Sequence, residues 1–421
     1  MNEQVSSTSI ARDAAYAQPL EKLDPAQPAL FETDTVLPYF ERLRREDPVH
    51  YSPESEYGPY WSITKYNDIM AVDTNHHVFS SDYTKGGITI GGGQQNIEPL
   101  PMFIAMDPPR HDVQRKAVSP AVAPSALAQM APQIRERAAG ILDGLPIGEE
   151  FDWVDLVSKE LTAMTLATLF GAPQEDRRKI TYWSDVVTAI PMPGGLVETL
   201  EDKLAIFTEY SAYFTNLWNE KVNVEPMPDL ISMLAHHPET RNMEPREYFG
   251  NVVLLTVGGN DTTRNTISGS ILALNRHPDQ YDKLRDNPAL VPSMVSETIR
   301  WQTPLAHMRR TATQDIDFQG KKIREGDKVV MWYLSGNRDE EVIENPNDYI
   351  IDRERPRQHI SFGFGIHRCV GNRLAELQLT IIWEEILKRF PEIIVISEPK
   401  RTYSTFVRGY ESMKVIIPKR N

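Results

Sequence analysis

Residues 246–277 (REYFGNVVLLTVGGNDTTRNTISGSILALNRH) read as one helical run of roughly 30 residues, about 45 Å long at about 1.5 Å per residue. A rod of that length crosses a whole domain, so the remaining elements must be arranged around it. Its first half is apolar nearly all round, which places it in the interior. In the middle, Gly258 and Gly259 weaken the helix and favour local opening. Asp261 and Thr262 follow at once, an acid and a hydroxyl. Such a helix could bulge beside a ligand, although taken alone the pattern is better explained by a kinked helix with its polar residues facing outward.

The rest of the 421 residues supports a large, mostly α fold. Helical patterns dominate from about residue 125 to 240, with a Pro/Gly break at 190–195 and a stop at Gly171. Short strands are expected at HYS and PYWSIT near the start, and at AHMRRTAT, DIDFQGKKI and DKVVMWYL after residue 305. A last long helix follows Gly371. Residues 1–34 read as a flexible polar arm, and 35–421 as a single domain. The glycine-rich stretch 84–101 reads as a loop, either a plain surface loop or a lid over a pocket. No Gly-Lys-Ser/Thr follows it, so it is not a phosphate loop.

Charge and cysteine count exclude several functions. Lys and Arg total 45 against 59 Asp and Glu, a net charge of −14, which argues against nucleic acid as the main partner. No run of about 18 apolar residues is present, so no membrane span is expected. The N-terminus lacks the basic-then-apolar pattern of a secretory signal. A cytoplasmic enzyme is the resulting expectation. A single cysteine permits neither an intrachain disulfide nor a cysteine-built zinc site.

That cysteine, Cys369, lies in Phe362-Gly363-Phe364-Gly365-Ile366-His367-Arg368-Cys369-Val370-Gly371. The glycines permit a tight turn close to a flat ligand. A helix beginning near Gly371 would aim its dipole and free N–H groups at the sulfur, favouring thiolate and tuning any iron bound there. The alternative, a buried structural cysteine, fits the neighbouring residues poorly. Earlier, Glu297 and Arg300 sit three apart on a helical pattern and can pair on one face.

The cysteine stretch matches Phe-x-x-Gly-x-x-x-Cys-x-Gly at Phe362, Gly365, Cys369 and Gly371, and the chain resembles the cytochrome P450 family over about residues 35–420. The resemblance implies many helices around a buried haem with a smaller β-rich region. It implies haem b with the Cys369 thiolate as iron ligand, Phe362, Gly363 and Gly371 against the cofactor, and His367, Arg309, His111 and Arg115 at its propionates. Glu297 and Arg300 would be completed by Arg353 as a structural triad. Asp261 and Thr262 would serve oxygen activation by delivering protons.

The same resemblance implies monooxygenation of an apolar substrate by O2, with electrons from a separate ferredoxin and its ferredoxin reductase. The enzyme would act as a monomer. Arg115, Lys116 and Arg373 are candidates for the docking patch. Expected pocket residues are Ile90, Leu100, Phe103, Leu254, Val257, Gly258, Leu305 and Ala306. The segment 102–111 and Gly-Gly-Asn-Asp-Thr-Thr-Arg-Asn resemble bacterial alkane and fatty-acid terminal hydroxylases, which implies ω-hydroxylation of medium-length chains. A hydroxylase of terpenes or other cyclic compounds is the nearest alternative. A haem peroxygenase and a haem sensor stand further off.

Overall fold

The computed structural model describes residues 2–91 and 99–421. The expected long helix is present as Pro245–Arg276, with Pro245 at its first turn. It packs on helices Glu160–Phe170, Arg177–Thr188, Leu200–Lys221, Val291–Gln302 and Asn372–Arg389. Val252, Ile267, Ile271 and Leu274 of this central helix join Trp153, Trp183 and Trp383 in the largest core cluster. Its polar residues are also absorbed: Ser270 Oγ accepts from Trp383 Nε1 at 2.8 Å.

The Pro/Gly break at 190–195 separates Arg177–Thr188 from Leu200–Lys221, as the sequence predicts. The second of these helices starts at a capping box, in which Thr199 Oγ1 accepts from Asp202 N and the Asp202 carboxylate accepts from Thr199 N, both at 3.1 Å. Gly171, at φ 62°, ends Glu160–Phe170 in the left-handed conformation that glycine adopts without strain.

The β-rich region is a five-stranded sheet ordered Val49–Ser52, Tyr60–Ile63, Lys328–Met331, Met308–Ala312, Phe79–Ser80. Only the Tyr60–Ile63 and Lys328–Met331 pair is parallel. A second cluster around Val49, Ile69, Val329 and Met331 packs its face. The fold is mostly α with a smaller sheet, as expected.

The N-terminal reading needs correction. Residues Asn2–Ala17 form a helix, and the segment after it is packed rather than loose. Ala15 and Leu23 are fully buried against Tyr39 and Leu43. Arg42 also donates to the carbonyls of Ala15 and Gln18 at 2.8 and 2.7 Å. Alanine is small enough to let one helix approach another closely, and it leaves little hydrophobic signal in a polar stretch. Among the described residues, no helix is long and apolar enough to cross a membrane.

Candidate active site

Cys369 sits where a tight turn enters the helix Asn372–Arg389, which Gly371 caps. Gly363 and Gly365 both take φ 66°, a conformation that disfavours side chains. A Cβ on Gly365 would lie 2.8 Å from the Asp73 carbonyl oxygen, so that position also needs the close approach only glycine allows. Asp73 braces the turn, accepting from Phe364 N at 2.7 Å, Tyr333 Oη at 2.9 Å and Arg310 Nη2 at 2.7 Å. The Cys369 amide closes the turn on Phe362 O at 2.8 Å.

The thiol opens into a cavity of about 820 Å³ and is enclosed by protein on its other sides. Burial pushes its pKa up, while the N–H groups of Gly371 and Asn372 and the charges of Arg115 and Arg368 favour thiolate. The expected helix N-terminus behind the sulfur is therefore present. Phe362, Gly363 and Gly371 all line the same cavity, and a Cβ on Gly371 would meet no protein atom within 4 Å.

Donor-bearing basic side chains gather at the edge of this cavity. His111, Arg115, Arg310 and His367 all line it. The His111 and His367 rings pack edge to face, 4.3 Å apart. His367 is buried with neither ring nitrogen bonded, and His111 Nε2 is likewise without a partner. Burial, then Arg310, His111 and Arg115, hold the His367 pKa far below its usual value. Burial also lowers that of His111, against the pull of Asp112, which its Nδ1 bonds at 2.7 Å. Such unspent donors fit an anionic group at this edge.

Arg309 does not belong to this cluster, contrary to expectation. Its guanidinium donates to the carbonyls of Gly86 and Lys85, both at 3.1 Å, and burial lowers its pKa to about 10. Arg310 takes the cavity side. The two are consecutive in strand Met308–Ala312, and successive strand residues face opposite ways. Ala306 is corrected as well: it is fully buried with Val330 and Trp332, while its neighbours Leu305 and His307 line the cavity. Arg115 lines the cavity too, and its Nη2 donates to Arg368 O at 2.6 Å, so it is turned inward rather than lying on a docking surface. Lys116 and Arg373 are exposed.

The central helix runs unbroken past Gly258 and Gly259, so no bulge opens there. Thr262 Oγ1 instead donates back to Gly258 O at 2.9 Å, and both residues line the cavity. Asp261 points elsewhere, because consecutive helical residues lie about 100° apart. It is fully buried, accepting from Ser184 Oγ at 3.0 Å and Asn260 Nδ2 at 3.1 Å and pairing with Arg264 at 3.0 Å. Burial raises its pKa; Arg264 opposes this, and Asp185 adds to it. Asn260, whose role the sequence leaves open, receives Thr162 Oγ1 at 3.0 Å and steadies the Asp261 carboxylate. Arg264 also bonds Asp185, which pairs with Lys159 at 3.2 Å. The acid thus ends a buried charged chain leading away from the cavity.

Ile90, Leu100, Phe103, Leu254, Val257, Gly258 and Leu305 line the cavity as expected. Of the glycine-rich loop 84–101, residues 86–91 contribute to the wall, and residues 92–98 lie outside the described residues. The sequence reading missed the roof, built from Val187, Ile190, Lys203 and Phe207, and the wall at Tyr403 and Phe406. Only the Pro/Gly break near residue 190 hinted at a turn over the site.

Glu297, Arg300 and Arg353 form the expected triad. The Glu297 carboxylate accepts from Arg300 at 2.8 and 2.7 Å, from Arg353 Nε at 2.9 Å and from Ile350 N at 2.8 Å. Arg300 also donates to the carbonyls of Asn337, Pro346 and Asp348. The triad ties helix Val291–Gln302 to the segment leading into the cysteine turn.

These features fit a haem: a thiol at the base of a large cavity, a glycine leaving room beside it, and unspent imidazole nitrogens beside two arginines at the edge. Among the described residues, no cluster of three or more His, Cys, Asp or Glu offers another metal site. The cytochrome P450 family model matches residues 49–416. The chain is 36% identical over 411 residues to linalool 8-monooxygenase of Pseudomonas putida, covering 95% of this chain and all of that protein. It is 32% identical over 389 residues to a methyl-branched lipid omega-hydroxylase of Mycobacterium bovis, covering 89% and 90%. Among solved structures, cytochrome P450-153 from Novosphingobium aromaticivorans aligns at a TM-score of 0.87 and 44% identity, covering 94% of this chain and 99% of that one. CYP153D17 from Sphingomonas sp. PAMC 26605 aligns at 0.88 and 45%, covering 95% and 100%. The chain belongs to the cytochrome P450 family and is a haem-thiolate monooxygenase.

Proposed function

We propose that this monooxygenase hydroxylates the terminal carbon of medium-length alkyl chains, as alkanes or as fatty acids. The observation that carries this reading is the roof side of the cavity, beyond the space a haem would fill beside Cys369, where Ile90, Leu100, Phe103, Val187, Ile190 and Phe207 make the wall largely aliphatic and aromatic. An apolar chain is held in such a space by burial and close contact. The hydroxylase-like segments at 102–111 and 258–265 support it, as does the relative named for ω-hydroxylation of a lipid. Primary C–H bonds are stronger than secondary ones, so terminal selectivity has to come from walls that present the chain end-on to the Cys369 side.

Haem b, held by Cys369 and by His111, Arg115, Arg310 and His367, would supply the activation of O2, placing one oxygen atom in a C–H bond and the other in water. Around it the chain manages charge and protons. Amide groups of Gly371 and Asn372 favour the thiolate form of Cys369. Asp261, joined to Asp185 and Lys159 through Arg264, turns from Ser184 to carry protons toward the Thr262 hydroxyl at the cavity wall. Electrons come from a separate ferredoxin served by its reductase, docking where Lys116 and Arg373 are exposed. The enzyme works in the cytoplasm as a monomer.

Product analysis with octane and dodecanoic acid tests the reading: terminal alcohols are expected, and mainly subterminal alcohols or no turnover of either overturns it. Hydroxylation of terpenes is the second reading, favoured by the similarity to linalool 8-monooxygenase. The peroxygenase reading has no need of Asp261 and Thr262, and the sensor reading no need of a large apolar cavity.

A further inference from the structure

Lys203 puts a charged side chain in the roof of a largely apolar cavity. It lies in the first turn of helix Leu200–Lys221 and lines the cavity beside Val187, Ile190 and Phe207. Its ammonium donates to the carbonyls of Val187 and Ala189 at 2.9 and 2.8 Å, at the end of helix Arg177–Thr188. An ammonium has three N–H donors. Among the described residues, no carboxylate lies within ion-pairing distance of it. The other basic side chains named in the wall, His111, Arg115, Arg310 and His367, gather at the haem edge, while Lys203 comes from the roof. His307, also in the wall, spends both ring nitrogens on Thr405 O and Ile90 N.

A lysine that merely caps a helix C-terminus can do so from solvent. This one is drawn into the wall of an apolar cavity, where burial lowers its pKa to about 8 and no acid opposes the shift. A cation held there, with two N–H groups on carbonyls and the Phe207 ring centre 5.9 Å away, has no anionic partner among the described residues and suits an anion that arrives with an apolar body. A carboxylate entering that cavity needs a charged donor to offset its lost hydration.

We propose that Lys203 is a specificity-determining residue that holds the carboxylate of a fatty acid at the roof, so that the chain's far end reaches toward Cys369. This rests on the terminal-hydroxylase reading and sharpens it: fatty acids are favoured over alkanes by a head-group contact, and the same contact sets which end is presented for oxidation.

The test is a spectral binding titration of the purified haem-loaded enzyme with dodecanoic acid and, separately, with dodecane, in wild type, Lys203→Met and Lys203→Arg. Charge-assisted hydrogen bonds of this kind predict that Lys203→Met weakens dodecanoate binding about tenfold or more. Dodecane affinity should stay within about twofold, and Lys203→Arg should retain most of the dodecanoate affinity. Equal weakening for acid and hydrocarbon would make Lys203 a structural cap and overturn the proposal, as would unchanged affinity for both. Turnover products are scored separately. Mainly subterminal alcohols with charge-dependent binding intact would sink the terminal-hydroxylase reading and leave the head-group contact standing.

Discussion

Replacing Glu297 by Gln keeps the shape of the side chain and removes its charge from the most buried ion cluster beside the cysteine turn. Glu297 and Arg300 are 0% and 1% exposed, and Arg353 is 10% exposed. The carboxylate receives four hydrogen bonds, three of them from guanidinium groups. A glutamine can accept at one oxygen only and turns an amide N–H₂ toward donors. Breaking a buried pair by removing one partner costs about 3–5 kcal/mol. Arg300 keeps three backbone carbonyls as acceptors, which favours the low end, about 3 kcal/mol. Against a typical total stability of about 5–15 kcal/mol, that is a large fraction. Equilibrium unfolding in urea, followed by tryptophan fluorescence, measures it. Glu376→Gln is the control, because its partner Arg357 is 77% exposed and the pair should contribute less than about 1 kcal/mol. A Glu297→Gln protein as stable as the Glu376→Gln control would refute the reasoning.

Three further outcomes follow from the site. Arg310→Leu should speed haem loss to an excess of acceptor protein, whereas Arg309→Leu should leave it near wild type; equal rates would put the assignment of the cavity-facing arginine in error. Asp261→Asn should lower kcat by roughly 10²-fold or more without changing substrate affinity, and unchanged turnover would remove Asp261 from proton delivery. His307 is fully buried, with Nδ1 donating to Thr405 O at 2.9 Å and Nε2 accepting from Ile90 N at 3.1 Å, and burial lowers its pKa to about 4. The unfolded chain then binds the proton more readily, so the stability His307 confers is present above about pH 6.5 and is lost as pH falls toward 4. Between pH 7 and 4.5 wild type should lose roughly 2–3 kcal/mol more than His307→Gln, and parallel losses would contradict this.

What the sequence revealed and what it hid divide along physical lines. The central helix, the glycine turn around Cys369 and the Glu297–Arg300–Arg353 triad are encoded by local periodicity, spacing and obligatory glycines. Arg309 and Arg310 are chemically identical neighbours, and only the sheet's register decides which one faces the cavity. Asp261 and Thr262 are adjacent in sequence, yet the helical rotation sends one to a buried charged chain and the other to the cavity wall. The N-terminal helix docks through alanines, which carry too little hydrophobic signal to be told from a loose arm. The roof joins Val187, before the Pro/Gly break, to Lys203 and Phe207, beyond it, and their meeting over the cavity is set by tertiary packing alone.

The central claim, a haem held by the Cys369 thiolate, is tested most directly by the Soret band of the reduced, carbon monoxide-bound protein. A strongly red-shifted band that is lost in Cys369→His is the predicted result. An imidazole-like band in the wild-type protein, or a red-shifted band that survives the substitution, would contradict it.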